Sequence, residues 1–164
     1  VFVVLGHAFA GTANTAFSLS ATVGNIAAGE TCTAAEAITM SGTQVGLTWD
    51  GFTRQYNVPN TNMTCVGYPR AERVFSVTLN GGQTLTATAE RDMGSMADPA
   101  VNLIEGPDTN CVDDAVCVDS ADDPLDGAAA ETVTVQNTGT TAKTYFIVVG
   151  TYTLGAFSLN VQIQ

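Results

Sequence analysis

Seven aspartates crowd one short stretch of this chain: Asp108, Asp113, Asp114, Asp119, Asp122, Asp123 and Asp126. Calcium binds six to eight hard oxygens, and a carboxylate-dense loop outside the cell can supply them. The candidate calcium ligands are Asp98, Asp113, Asp114, Asp119, Asp122 and Asp123. The run lacks the EF-hand and nonapeptide spacings, and Pro124 interrupts it, so a solvated acidic loop is the plainer reading. Four cysteines, Cys32, Cys65, Cys111 and Cys117, form an even set. Zinc would want Cys-x-x-Cys pairs or several histidines, and the only histidine is His7. Two disulfides are the simpler expectation, and Cys32–Cys65 with Cys111–Cys117 is the favoured connectivity because each closes a local segment. Oxidised cysteines are not nucleophiles. A Ser-His-Asp site would have to use His7, which reads as a turn residue with no nucleophile elbow near it. A glycosidase needs two facing carboxylates in a cleft; Glu72, Glu90 and Glu105 read instead as surface positions at strand ends. No catalytic residue is expected. Trp49, Phe52, Tyr56 and Tyr68 cluster around an irregular segment, either as an aromatic platform for sugar or protein or as packing over the mouth of the fold. Asn62-Met63-Thr64 is a glycosylation sequon.

These residues must be positioned by strands. Charged residues are 13% of a 164-residue chain, about half the usual share, and Thr, Ser, Asn and Gly take their place. No sustained helical periodicity appears. Strand-like runs recur between Gly, Asn, Asp and Pro clusters: Thr43–Thr48, Glu72–Leu79, Gln83–Glu90, Pro99–Gly106, Glu131–Asn137, Thr144–Gly150 and Ala156–Ile163. Asn80-Gly81-Gly82 lies between the second and third and predicts a tight hairpin. The acidic stretch Asp108–Asp126 is expected as a loop clipped by Cys111 and Cys117. The fold class expected is all-β, a jelly-roll-like antiparallel β-sandwich. The net charge of −11 repels nucleic acid and anionic lipid, because so few cations cannot neutralise phosphates.

The order ERVFSVTLNGGQTLTAT, DPAVNLIEG, ETVTVQNTGTTAKTYFIVVG and a final AFSLNVQI resembles the bacterial pre-peptidase C-terminal (PPC) domain. In that family an Asp-x-Tyr-Phe-x-Val strand and a Gly-x-x-Leu-x-Val strand precede an Asp-rich strand, a Tyr-Tyr-Ile-x-Val strand and a closing Tyr-x-Leu-x-Val. The resemblance spans residues 30–164. It implies a secreted jelly-roll-like sandwich that serves as an accessory to a larger protein and is not itself catalytic. Some relatives bind collagen or calcium. The family's second-strand Asp falls on Ala100 here, and Asp98 alone is kept.

One sequence occurs twice. VFVVLG (Val1–Gly6) followed by AFSLSATV (Ala16–Val23) returns as YFIVVG (Tyr145–Gly150) followed by AFSLNVQI (Ala156–Ile163). Each AFSL segment alternates apolar with polar, the mark of a half-buried strand. Each preceding run is apolar throughout, as in a strand buried on both faces. Residues 1–24 thus read as an additional N-terminal β-hairpin, residues 25–164 as the sandwich domain, and 145–163 as the hairpin that closes it. The N-terminus imitates a signal peptide, but it lacks a basic n-region, and its echo makes it a strand of the fold; the run is too short for a membrane span. Beginning at Val without Met, the chain is expected to be processed or cut from something longer.

The spare hairpin has two readings. In one, Val1, Phe2, Val3, Val4, Leu5, Phe17, Leu19 and Val23 form a subunit interface, docking head to tail on a neighbouring copy in a secreted filament or cell-surface assembly. Each such side chain contributes about 1.5–3 kcal/mol when buried, against about 4–15 kcal/mol for association. In the other, the chain is one window of a tandem array, and residues 1–24 are the tail of the preceding repeat in a secreted protease or adhesin.

Overall fold

Among the described residues, alternating apolar runs and two runs buried without a break build nine strands. They are β1 (Glu36–Ile38), β2 (Gly42–Thr48), β3 (Glu72–Leu79), β4 (Thr84–Arg91), β5 (Pro99–Glu105), β6 (Cys117–Ala121), β7 (Glu131–Gln136), β8 (Lys143–Thr151) and β9 (Ala156–Ile163). The computed structural model describes residues 26–56, 64–68, 70–112, 115–123 and 129–164. The additional N-terminal hairpin, with His7 and the interface residues Val1 to Val23, lies outside the described residues, as do Asn62, Asp113, Asp114 and Asp126. Among the described residues no helix is long and apolar enough to cross a membrane.

Two sheets face each other. The first has order β1-β3-β8-β5-β6 and the second β2-β9-β4-β7. All pairs are antiparallel except β1 with β3. Phe75, Val77 and Leu79 of β3, Leu85, Ala87 and Ala89 of β4, Ile147 and Val149 of β8, and Phe157, Leu159 and Val161 of β9 meet in the core between the sheets. Each large side chain there contributes about 1.5–3 kcal/mol by leaving water. The outward positions of the second sheet are polar; Thr88 and Thr132, for example, sit 2.9 Å apart across β4 and β7.

β8 is buried on both faces, as its unbroken apolar run predicts. Tyr145, Ile147 and Val149 enter the inter-sheet core. Phe146 and Val148 enter a second apolar cluster on the outer face of the first sheet, with Val74, Ala100 and Ile104. Tyr56, Cys65 and Tyr68 cover that cluster, and residues 64–68 form a strap across the sheet.

The hairpins are not hairpins. β3 pairs with β1 and β8, whereas β4 pairs with β7 and β9, so the Asn80–Gly82 turn carries the chain from one sheet to the other. β8 and β9 likewise lie in different sheets, and residues 145–163 form an arch. Among the described residues, only β5 and β6 are both consecutive and hydrogen-bonded to each other. Alternation marks which face a strand buries; it carries no information about its partner. The turn closes with a Gln83 N–H bond to the Asn80 carbonyl at 3.1 Å and is also tied to the β7–β8 connection: Gly82 N–H donates to the Asn137 carbonyl at 2.7 Å, and Asn137 N–H to that of Gln83 at 2.9 Å. A Cβ on Gly81 would sit 2.5 Å from the Gly139 carbonyl oxygen, and Gly82 has φ +87°. The two glycines allow close approach and positive φ, as a turn requires, but in an arch.

One further expectation changes, and one strand is unanticipated. The acidic stretch contains a strand, β6, whose Cys117 and Asp119 pair with Ile104 and Leu103 of β5. Mixed polar and acidic residues hide an edge strand that has one face to bury. β1 is only three residues long and held to β3 by parallel pairing, too short for periodicity to reveal.

Candidate functional site

The aromatic cluster is packing. Trp49 stacks on Phe157 with ring centroids 4.1 Å apart, and its indole N–H donates to the Val149 carbonyl at 2.9 Å. Tyr56 and Tyr68 are buried, and half-buried Phe52 lies under the Arg73 guanidinium at 5.1 Å. Trp49 and Phe52 pack on the inter-sheet core and Tyr56 and Tyr68 on the outer-face cluster, while the polar tips of Trp49 and the tyrosines find partners.

Glu72 is buried, not a surface strand end. It stands at the start of β3, on the outer face of the first sheet, with 0% exposure. Backbone N–H groups of Gln55 and Tyr56 each donate to Oε1 at 2.7 Å, and the Tyr68 hydroxyl donates to Oε2 at 2.5 Å. Burial pushes its carboxyl up to about 7, against the pull of these hydrogen bonds and of Arg54. Burial also raises Tyr68, with Glu72 adding to the effect. The Tyr68 ring lies across Gly150, where any Cβ would come within 2.4 Å of it, so the glycine ending YFIVVG makes room for the strap. Asn102 completes the anchoring: its side-chain amide bonds both the N–H and the carbonyl of Val66, each at 2.8 Å. Such a Glu and Asn are polar groups satisfied inside a wall of protein. Neither was legible, because each lies in a strand pattern as an ordinary polar position. Glu90 is exposed and Glu105 pairs with Lys143 at 2.7 Å; the three glutamates form no carboxylate pair.

All four cysteines are oxidised, but with one of the two connectivities not favoured from the sequence. Cys32 bonds Cys111 and Cys65 bonds Cys117. The two short 3-10 turns Cys32–Ala34 and Asp108–Asn110 meet beside the strap, and Cys117 sits in β6 against the strap's Cys65. Proximity in the fold overrides proximity in sequence here: the bonds close separations of 79 and 52 residues. In the loop-entropy model each contributes about 4 kcal/mol. Two disulfides fit an oxidising compartment outside the cytoplasm.

The acidic residues are dispersed among structural duties. Asp119 accepts from Thr134 N–H at 2.7 Å and so ties β6 to β7. The Asp98 carbonyl accepts from Tyr152 N–H at 2.9 Å. The Tyr152 hydroxyl bonds the Gly67 carbonyl and lies 3.1 Å from Asp122 Oδ2. Burial, then Asp122, pushes Tyr152 up to about 12. Burial also raises Asp122 and Glu131, and the neighbouring carboxylates, Asp98 and Asp123 among them, add to both shifts. Asp123 N–H donates to Glu131 Oε1 at 2.9 Å. Among the described residues, no three acidic, histidine or cysteine side chains converge at metal-binding distance.

The two lateral sides of the sandwich differ. On one, β6 and β7 are joined through Asp119. On the other, β1 and β2 are the outermost strands and, among the described residues, each pairs on one side only. A groove of about 280 Å³ opens between them, lined by Ile38, Met40, Gly42 and Gln44 and floored by the core residues Leu159 and Val161. Met40 is 74% exposed and Val45 of β2 73%. From Ala37 to Thr48 the chain has no charged residue.

No family model matches the chain, and no curated protein sequence does. Among solved structures, the chain is similar to the pre-peptidase C-terminal domain of collagenase from Bacillus anthracis, with 12% identity, 77% of this chain and 93% of that one covered, and a TM-score of 0.46. It is also similar to the periplasmic inhibitor of g-type lysozyme from Aeromonas hydrophila, with 16% identity, 79% and 98% covered, and a TM-score of 0.38. The all-β sandwich expected from the strand patterns is the fold observed, and its PPC-like character is a likeness of fold alone.

Proposed function

We propose that this chain is a non-enzymatic secreted structural protein whose residues 1–23 dock head to tail on a neighbouring copy, building an extracellular filament or surface assembly. One observation carries the reading. The sandwich already contains its own β8 and β9, each inside a sheet and not at its edge, yet the chain carries a second copy of their sequence with no Asp, Glu, Lys or Arg in residues 1–25. So apolar a segment costs free energy in water and gains it on a sheet edge. A head-to-tail contact that closes no ring propagates into a filament. The absence of catalysis is supported by cysteines held in disulfides and by a Glu72 sealed from substrate.

A second reading has its own support. β8 and β9 are the last strands of the domain, so a copy placed before the domain sits where the tail of a preceding repeat would. Negative-stain electron microscopy of the untreated protein separates the two. Filaments with an axial repeat of about 35–50 Å, one compact domain, are expected, and deletion of residues 1–24 should leave monomers. Dispersed single particles would remove the filament reading in favour of the tandem-domain one.

A further inference from the structure

Resting on that reading, we infer where the acceptor site is: residues 1–23 of one copy add one strand to each sheet of the next copy at its open lateral side, along β1 and β2, without displacing β8 or β9.

The arch sets the geometry. β8 and β9 are consecutive strands in opposite sheets, linked by Tyr152–Gly155. A segment repeating their sequence carries the same pattern, a fully apolar strand for one sheet and an alternating strand for the other. An edge hairpin would need both strands in one sheet; an arch needs two edges, one above the other. Among the described residues each side of the sandwich ends in one strand of each sheet, β6 with β7 and β1 with β2. At the β6–β7 side Asp119 of β6 already bonds the backbone of β7. At the open side, β1 and β2 are successive in the chain and end the first and second sheets respectively.

The dimensions agree. Ala16–Val23 is eight residues and β2 is seven. Sheets pack about 10 Å apart, and the ten residues Gly6–Thr15 reach about 33 Å when extended. The donor's link, residues 6–15, is four residues longer than its counterpart, residues 150–155. The chemistry agrees as well. Phe17, Leu19 and Val23 would cover a groove whose floor is Leu159 and Val161. An uncharged donor meets an uncharged acceptor stretch, Ala37–Thr48, on a molecule of net charge −11. Backbone groups on the free sides of β1 and β2 find partners in the added strands.

The test uses full-length chains. An acceptor-blocked variant carries Met40→Lys and Val45→Lys, both at exposed positions that leave the core intact. Edge lysines oppose strand addition, while their charge weakens the general repulsion between copies. A control variant carries Val112→Lys and Val116→Lys, exposed at 50% and 66% in the segment before β6, which ends the first sheet opposite β1. A donor-blocked variant carries Phe17→Asp and Leu19→Asp. By analytical ultracentrifugation, wild type and control should assemble, and each blocked variant alone should be monomeric. An equimolar mixture of the two blocked variants should give a complex of twice the monomer mass and no larger, because each copy retains one working half. Assembly of the acceptor-blocked variant at wild-type level would overturn the edge site while leaving head-to-tail docking standing. A mixture that stays monomeric would also overturn it. A monomeric wild type would remove the head-to-tail reading itself.

Discussion

At the scale of single residues, Glu72 makes the molecule's clearest pH dependence. Its carboxyl holds a proton up to about pH 7 in the fold, against an ordinary value of 4.5. Between those values the folded state binds more protons than the unfolded chain, so stability is full below about 4.5, declines as pH rises towards 7, and is level above. Burial moves Asp122 and Glu131 in the same direction. The expected decline is on the order of 3 kcal/mol, at 1.36 kcal/mol per pH unit. It is read from urea-denaturation midpoints between pH 4 and 8. Glu72→Gln should flatten most of the slope, since an amide keeps the shape and does not ionise. An unchanged slope in that variant would assign the pH dependence to other groups.

At the scale of elements, the strap over the first sheet depends on its crosslinks. Cys65 ties it to β6, and Cys32–Cys111 ties together the two 3-10 turns beside it. A strap of irregular backbone has few ladder bonds of its own, so the unfolded-state restriction supplied by a disulfide weighs heavily. Replacing Cys65 and Cys117 together by Ala should lower stability by about 2–5 kcal/mol. The far-UV circular dichroism should keep its β signature, because the inter-sheet core does not touch this bond. The near-UV signal should weaken as the surroundings of Tyr56 and Tyr68 loosen. Loss of the far-UV signature instead would make the strap a condition of the sandwich and not its cover.

At the scale of the whole molecule, charge opposes association. Each copy carries a net −11, and the proposed contact is uncharged, so salt should screen the repulsion without weakening the attraction. The Debye length falls from about 30 Å at 0.01 M to about 8 Å at 0.15 M. Assembly measured by light scattering should therefore increase over that range of sodium chloride. Dissolution by salt would mean that opposite charges, not an apolar edge, hold the copies together.

The residues themselves determined much. Strand boundaries followed from apolar alternation, and Glu72–Leu79 and Ala156–Ile163 match residue for residue. The double burial of β8 followed from its unbroken apolar run, and disulfide formation from an even set of cysteines beside a single histidine. These are local properties, written in side-chain type and period, and every copy of such a segment carries them whatever surrounds it. Partnership is different. Whether β3 bonds β4 or turns away from it, which cysteine meets Cys65, and whether Glu72 faces water or a tyrosine all depend on which segments pack across the same sheet. Alternation of period 2 reports a buried face and is blind to the neighbouring strand, while loop length only weakly penalises a distant partner. Tertiary structure alone decided that the last two strands form an arch, and that β1 and β2 end the two sheets on the same side of the sandwich.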